Sequence, residues 1–249
     1  MPYAMLSTPQ RHLSIEGTYN LRDIGGYATR DGRMTRWRTL FRADSLHRLS
    51  PQAQMVFLDH HLQTVVDLRH PDELQSAPNV FERATDVRYQ NLSLLVDKPL
   101  CTPGASRPLA ALYRQILDES QEQLRTVLAT LAKPGSLPAV VHCTAGKDRT
   151  GIVIALTLGL AGVPTATIVA DYALTGIYLG PDFIEETRRR VLQQGYTWEQ
   201  YEPLVVCSPA DMRMALHYLE ERYGGITAYV RTIGLSELEI ARLRAALVI

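Results

Sequence analysis

The chain has 249 residues, with 26 basic and 26 acidic side chains, so its formal net charge is zero. No global field draws such a protein to nucleic acid or to an anionic membrane. A hydrophobic content of 46% suffices for a substantial core, and the three cysteines, Cys101, Cys143 and Cys207, do not make a disulfide framework.

The first 14 residues carry Pro2, Pro9 and Arg11 without a long apolar run. They read as an N-terminal tail rather than a secretion signal, ahead of one catalytic domain over 15–249. Arg30, Arg33, Arg36, Arg38 and Arg42 surround Trp37, and alternation predicts a strand face with Arg36, Arg38 and Arg42 solvated and paired with acids. Ser50-Pro51 opens a helix to about His61, with proline suited to the first helical position. Thr64 to Leu68 is β-branched and predicts a central strand ending at Asp67; Asp86 to Leu95 predicts another, followed by a proline-bearing loop over 96–108.

Helices are expected around 109–119 and 120–132, stopped by Lys133-Pro134-Gly135. A buried strand over 138–143, a tight loop and a helix over 149–161 come next, and from Thr165 the pattern is helical. Arg188, Arg189 and Arg190 read as a solvated helix face. Ser208-Pro209 starts a helix whose Met212, Leu216, Leu219 and Tyr223 share a side and which Gly224-Gly225 ends; Ser236 to Glu239 is a capping box. The longest apolar stretch, Gly151 to Val163, is broken by Thr157 and too short to span a bilayer. The alternation predicts a single α/β domain: a central, mostly parallel, twisted sheet flanked by helices, with a helical C-terminal half.

The most informative segment is His142 to Gly151, HCTAGKDRTG. A loop between a buried strand and a helix would point the backbone N–H groups of Thr144, Ala145, Gly146, Lys147 and Asp148 at one place, helped by the positive end of the helix dipole. That is a cradle for a doubly charged oxyanion, with the Cys143 sulfur at its base. Such surroundings also favour the sulfur anion, which is the nucleophilic form. Arg149 offers a planar fork matching two phosphate oxygens. Thr150 is placed to donate to the Cys143 sulfur, and His142 to order the loop through its ring nitrogens.

Competing readings of these residues are weaker. A nucleotide-binding GxxxxGK[ST] loop needs glycine at 141 and Ser or Thr at 148, where the chain has Val141 and Asp148. A zinc site from His142 and Cys143 lacks any paired CxxC or HxxxH. Sulfur transfer or arsenate reduction also uses a cysteine in an anion loop, but Cys101 and Cys207 lie in unrelated segments. A non-catalytic phosphoinositide- or phosphopeptide-binding module typically loses the nucleophile or the arginine, and both are present.

HCTAGKDRTG resembles the signature of the cysteine-dependent protein tyrosine phosphatase superfamily. Its Lys147-Asp148 narrows the likeness to the bacterial and fungal group that also attacks phosphoinositides. Asn20 to Tyr27 (NLRDIGGY), Gly32-Arg33, Leu40 to Asp44 (LFRAD), Thr64 to Arg69 with Glu73, Asp171-Tyr172, and Tyr223 to Ile226 with Gly234 to Ser236 agree, so the resemblance spans roughly 15–249. It implies a phosphoric monoester hydrolase forming a phosphocysteine, without cofactor or metal. The implied partners are phosphotyrosine or phosphoserine proteins and peptides, or phosphoinositides, with no nucleic acid and no integral membrane association. A thiolate enzyme without a signal segment is expected in the cytoplasm.

The proton donor stays open. Asp148 lies in the loop, and the resemblance points to it. Asp67 ends a strand where α/β sites lie, although anchoring Arg69 or a loop amide would equally explain it. Asp97 is the positional counterpart of the superfamily's upstream aspartate, and Asp118 is closer but on an exposed helix face. Lys147 is either a second cation selecting multiply phosphorylated substrates or a solvated loop lysine. Asn20, Asp23, Gly25 and Gly26 are expected to form a structural turn near the cradle, with Arg22 and Asp23 as candidate supports.

Overall fold

A computed structural model describes residues 10–94 and 109–249. Five strands form its sheet among the described residues: β1 (Arg22–Asp23), β2 (Leu40–Ala43), β3 (Thr64–Asp67), β4 (Arg88–Asn91) and β5 (Ala139–His142), in the order β1-β2-β5-β3-β4. Only the β1–β2 pair is antiparallel; β2–β5, β5–β3 and β3–β4 are parallel. The short β-branched and apolar runs Thr64-Val65-Val66 and Ala139-Val140-Val141 are wholly buried, as strands covered on both faces must be. Residues 11–13, expected in the tail, are hydrogen-bonded into the domain: Leu13 N donates to Leu21 O and Asp23 N to Arg11 O.

Alternation sorts the sheet's side chains onto two faces. Phe41, Val65 and Val140 pack with Ala53 and Phe57 of α1 (Pro51–Asp59) and with Phe81. Leu40, Val66 and Val141 face the larger layer. That layer contains α3 (Leu109–Glu119), α4 (Gln121–Leu131), α5 (Asp148–Leu160), the start of α6 (Thr165–Gln193), α8 (Pro209–Tyr223), α9 (Ile226–Thr232) and α10 (Glu237–Leu247). Two short helices complete the description, α2 (Pro71–Ser76) and α7 (Trp198–Val205).

After its polar first turn helix α5 is apolar on nearly every side and is surrounded by neighbours, as that composition requires. Its first turn meets the carboxyl end of the central strand β5, where ligands bind in open α/β sheets. Helix α6 bends at Gly180, whose φ of 55° no helix holds, with Pro181 behind it. Ser208, Gly224 in the left-handed region, and the Ser236–Glu239 capping box delimit α8 and α10 as expected from sequence. No helix among the described residues is long and apolar enough to cross a membrane.

Arg36 and Arg38 are exposed, but Arg42 is not part of a solvated face: it is buried in β2. Strand β2 is only four residues long, and Arg38 with φ 54° breaks the alternation ahead of it.

Candidate active site

Residues 143–147 link β5 to α5, and their carbonyls are pinned from outside. Ser45 N donates to Thr144 O (3.0 Å), Asn20 Nδ2 to Ala145 O (3.0 Å) and Gly146 O (3.2 Å), and Arg42 Nη2 to Gly146 O (2.7 Å). His142 Nδ1 lies 3.2 Å from Cys143 O. In a trans peptide the C=O and the following N–H point opposite ways. Pinning the carbonyls of 143–146 outward therefore turns the N–H groups of Thr144, Ala145, Gly146 and Lys147 toward the loop's hollow. The first amide to close a helical hydrogen bond is Gly151, on Lys147 O (2.8 Å), so the amides ahead of it keep their donors. Gly146 makes the curl possible: its φ is 65°, and a Cβ there would lie 2.3 Å from the Ala43 carbonyl oxygen.

Cys143 is buried at the strand end, and the Arg149 guanidinium lies in its field. Burial alone would lower the guanidinium's affinity for its proton; the Cys143 sulfur and Glu73 outweigh this and raise it. Glu73 grips the fork with both oxygens, Oε2 to Nη1 (2.5 Å) and Oε1 to Nη2 (2.9 Å), and Leu68 O also accepts from Nη1 (3.3 Å). Burial pushes the Glu73 carboxyl up, but the Arg149 hydrogen bonds and charge, with the Thr144 hydroxyl, pull it down to about 2. Glu73 is the third residue of α2, where it also accepts from His70 N (2.8 Å) in a capping box. Sequence reasoning noted Glu73 only within the resemblance. The run His70-Pro71-Asp72-Glu73 directly after a strand was the available signal, because it starts a helix and fixes where its third side chain points.

Asp67, an alternative acid by sequence, is surrounded by donors. It is fully buried and accepts from Arg69 Nη2 (2.7 Å), Arg69 Nε (2.9 Å), Asn79 Nδ2 (3.0 Å) and Tyr89 OH (3.2 Å), with His142 Nε2 at 3.3 Å. Burial would raise its pKa, but His142 and Arg69 hold it far below the usual carboxylate range. It holds Arg69 and lies against the His142 ring, whose other nitrogen faces the Cys143 carbonyl. Asp97 lies outside the described residues. Asp118 is exposed and accepts from Tyr218 and Tyr223.

Asp148 opens α5 with its side chain partly exposed, and its Oδ1 accepts from Tyr113 OH (2.7 Å). Lys147 is neither a free cation nor a solvated one. It is buried, and Nζ donates to the Leu204 carbonyl and to Val206 O (3.0 Å) at the end of α7, 3.5 Å from Asp148 Oδ1. The ammonium is thus committed to the negative end of a helix. The Thr150 hydroxyl is buried without a hydrogen-bond partner among the described residues, so the expected bond to the Cys143 sulfur is not formed; Arg149 Nε is similarly unpaired.

A second buried network supports the loop, and sequence reasoning placed only part of it. Asp171 of α6 takes Arg22 Nε on Oδ1 (3.1 Å), Arg42 Nη1 on Oδ2 (2.6 Å) and Tyr27 OH on Oδ1 (2.9 Å). Burial opposes its ionisation, yet the two guanidinium groups hold its pKa well below the ordinary range. Arg22 reaches the loop through Asn20, whose backbone N donates to the buried Asp44 (2.9 Å). Asp23 does not touch the loop; it accepts from Gly25 N and Arg38 N.

Comparison with known proteins agrees with this architecture. The family model described as the tyrosine phosphatase family matches residues 13–249. A tyrosine-protein phosphatase of Nostoc commune is 35% identical over 196 residues, covering 73% of this chain and 65% of the Nostoc protein. The triple specificity protein phosphatase PtpB of Mycobacterium tuberculosis is 28% identical over 276 residues, covering 94% of this chain and 98% of that protein. The chain belongs to the tyrosine phosphatase family.

Proposed function

We propose that this chain hydrolyses phosphoric monoesters in two covalent steps. The Cys143 sulfur attacks phosphorus, and the ester oxygen departs with a proton from Asp148. Asp148 then takes a proton from water as that water attacks the phosphocysteine, releasing phosphate and the thiolate. Arg149 and the amides of residues 144–148 hold the phosphoryl oxygens throughout, where charge accumulates in the transition state. The buried, unpaired Thr150 hydroxyl suits assistance to the departing sulfur. The substrate classes are phosphotyrosine and phosphoserine proteins and phosphoinositides, in keeping with the breadth the name of the Mycobacterium tuberculosis relative declares. A sulfur nucleophile works where thiols stay reduced, which favours a cytoplasmic setting.

One observation carries the reading: outward pinning of four consecutive carbonyls leaves a ring of inward amides between a buried cysteine and a clamped arginine. The test is Cys143→Ser. It should retain binding of a phosphotyrosine peptide while turnover of para-nitrophenyl phosphate disappears. Full turnover in that variant would defeat the proposal.

A further inference from the structure

We infer that Tyr113 of α3 is a positioning residue for Asp148, with Tyr172 of α6 holding the phenol in turn. The inference rests on the reading of Asp148 as the acid and base. Tyr113 is fully buried, and its helix is locked into the core by Leu112, Ile116 and Leu117. Its hydroxyl donates to Asp148 Oδ1 (2.7 Å) and lies 2.5 Å from the Tyr172 hydroxyl. A carboxylate only accepts, so Tyr113 spends its single proton on Asp148 and Tyr172 supplies the proton between the phenols. The two rings meet edge to face, with centroids 6.2 Å apart.

The consequence lies in which oxygen is free. Tyr113 and the Lys147 ammonium (3.5 Å) both address Oδ1, while Oδ2 has no partner among the described residues. When Asp148 carries a proton, the Tyr113 hydrogen bond, with the Lys147 charge on the same side, excludes it from Oδ1 and confines it to Oδ2. The carboxyl then offers its acidic hydrogen in one orientation instead of two, and the orientation is fixed before substrate arrives. In the second step the same arrangement presents Oδ2 as the base. Burial and the charge of Asp148 both raise the Tyr113 phenol well above its ordinary pKa, so it remains a donor through the cycle. The other titratable groups facing Asp148 are Arg149 on its own helix, Tyr172 of α6, Cys207, Asp211 of α8 and Lys147.

The experiment compares kcat/KM for para-nitrophenyl phosphate, whose leaving group departs unaided, with phenyl phosphate, whose leaving group needs a proton. In Asp148→Asn the phenyl phosphate rate should fall far more than the other; equal falls would defeat the reading of Asp148 itself. With that contrast established, Tyr113→Phe should lower kcat/KM for phenyl phosphate on the order of 10-fold and for para-nitrophenyl phosphate much less. The alkaline edge of its pH profile should move to higher pH, because a donor to a carboxylate favours the ionised form. Equal losses on both substrates with an unmoved edge would overturn the positioning role. Tyr172→Phe, which keeps the Tyr113–Asp148 bond but removes its support, should show the same contrast at smaller size. It decides the matter if Tyr113→Phe does not fold, and absence of contrast there overturns the inference. Tyr229→Phe removes a buried phenol from Leu117 O (2.6 Å) on the same helix, so it should lower Tm without altering the contrast. The same contrast in Tyr229→Phe would trace the effect to a loosened α3 and overturn it as well.

Discussion

Replacing Glu73 by Gln removes one charge and keeps the shape, and its effects follow from the clamp on Arg149. In the folded protein the carboxyl sits at about 2, against an ordinary value of 4.5. That difference corresponds to about 3 kcal/mol, and screening at a side chain 31% exposed reduces it to about 2 kcal/mol. Because the folded value is depressed, the stabilisation is complete above about 4.5 and disappears as pH falls through about 2. Urea unfolding at pH 7 should therefore show the variant about 2 kcal/mol less stable than the parent, with the deficit shrinking as pH is lowered from about 5 toward 3. The glutamine also turns an N–H₂ toward the guanidinium, so the fork loses its bidentate seat. A reacting group misplaced by about 1 Å costs on the order of 10²-fold, and kcat/KM should fall by that order. A deficit that does not vary with pH, or an unchanged kcat/KM, would refute the assignment of Glu73 as the clamp.

Gly146→Ala should fail in both stability and rate: the new Cβ would press on the Ala43 carbonyl from a backbone angle of +65°. Thermal melts and steady-state kinetics should show a loss of about 1–3 kcal/mol and a reduced kcat/KM, and parental values in both would contradict the loop geometry. Lys147→Met withdraws the ammonium from the Leu204 and Val206 carbonyls, and stability should fall by about 1–3 kcal/mol. Rates on a phosphotyrosine peptide and on a bisphosphorylated inositide should change in the same proportion. Selective loss of the inositide would restore a substrate-selecting role for this lysine.

What the sequence disclosed was local. Strand, loop and helix over 138–161 were legible because an apolar run, a conformationally special glycine and a second apolar run follow one another within two dozen residues. The boundaries of α8 and α10 were legible for the same reason, since Ser208-Pro209, Gly224 and Ser236–Glu239 act within one turn of themselves. The misread parts depend on partners far away in the chain. Arg42 looked like one of several surface cations until the fold brought Asp171, 129 positions on, against it. For Asp67 the anchoring of Arg69 was legible two residues away, whereas Asn79 and Tyr89, which also donate to it, come from 12 and 22 residues later. Lys147 has Asp148 beside it, but the hydrogen bonds that accompany its burial go to the Leu204 and Val206 carbonyls at the end of α7, 57 and 59 residues later. Burial of a charge is decided by such distant pairing, and periodicity carries no trace of it.

The central claim is that a phosphoryl group passes through the Cys143 sulfur. Mass spectrometry of peptides from the parent protein, acid-quenched during turnover of para-nitrophenyl phosphate, tests it most directly. A phosphoryl adduct on the peptide bearing Cys143, absent from Cys143→Ser, is the predicted result. A parent enzyme that turns over with no adduct on that cysteine, or with one on another residue, would contradict the account.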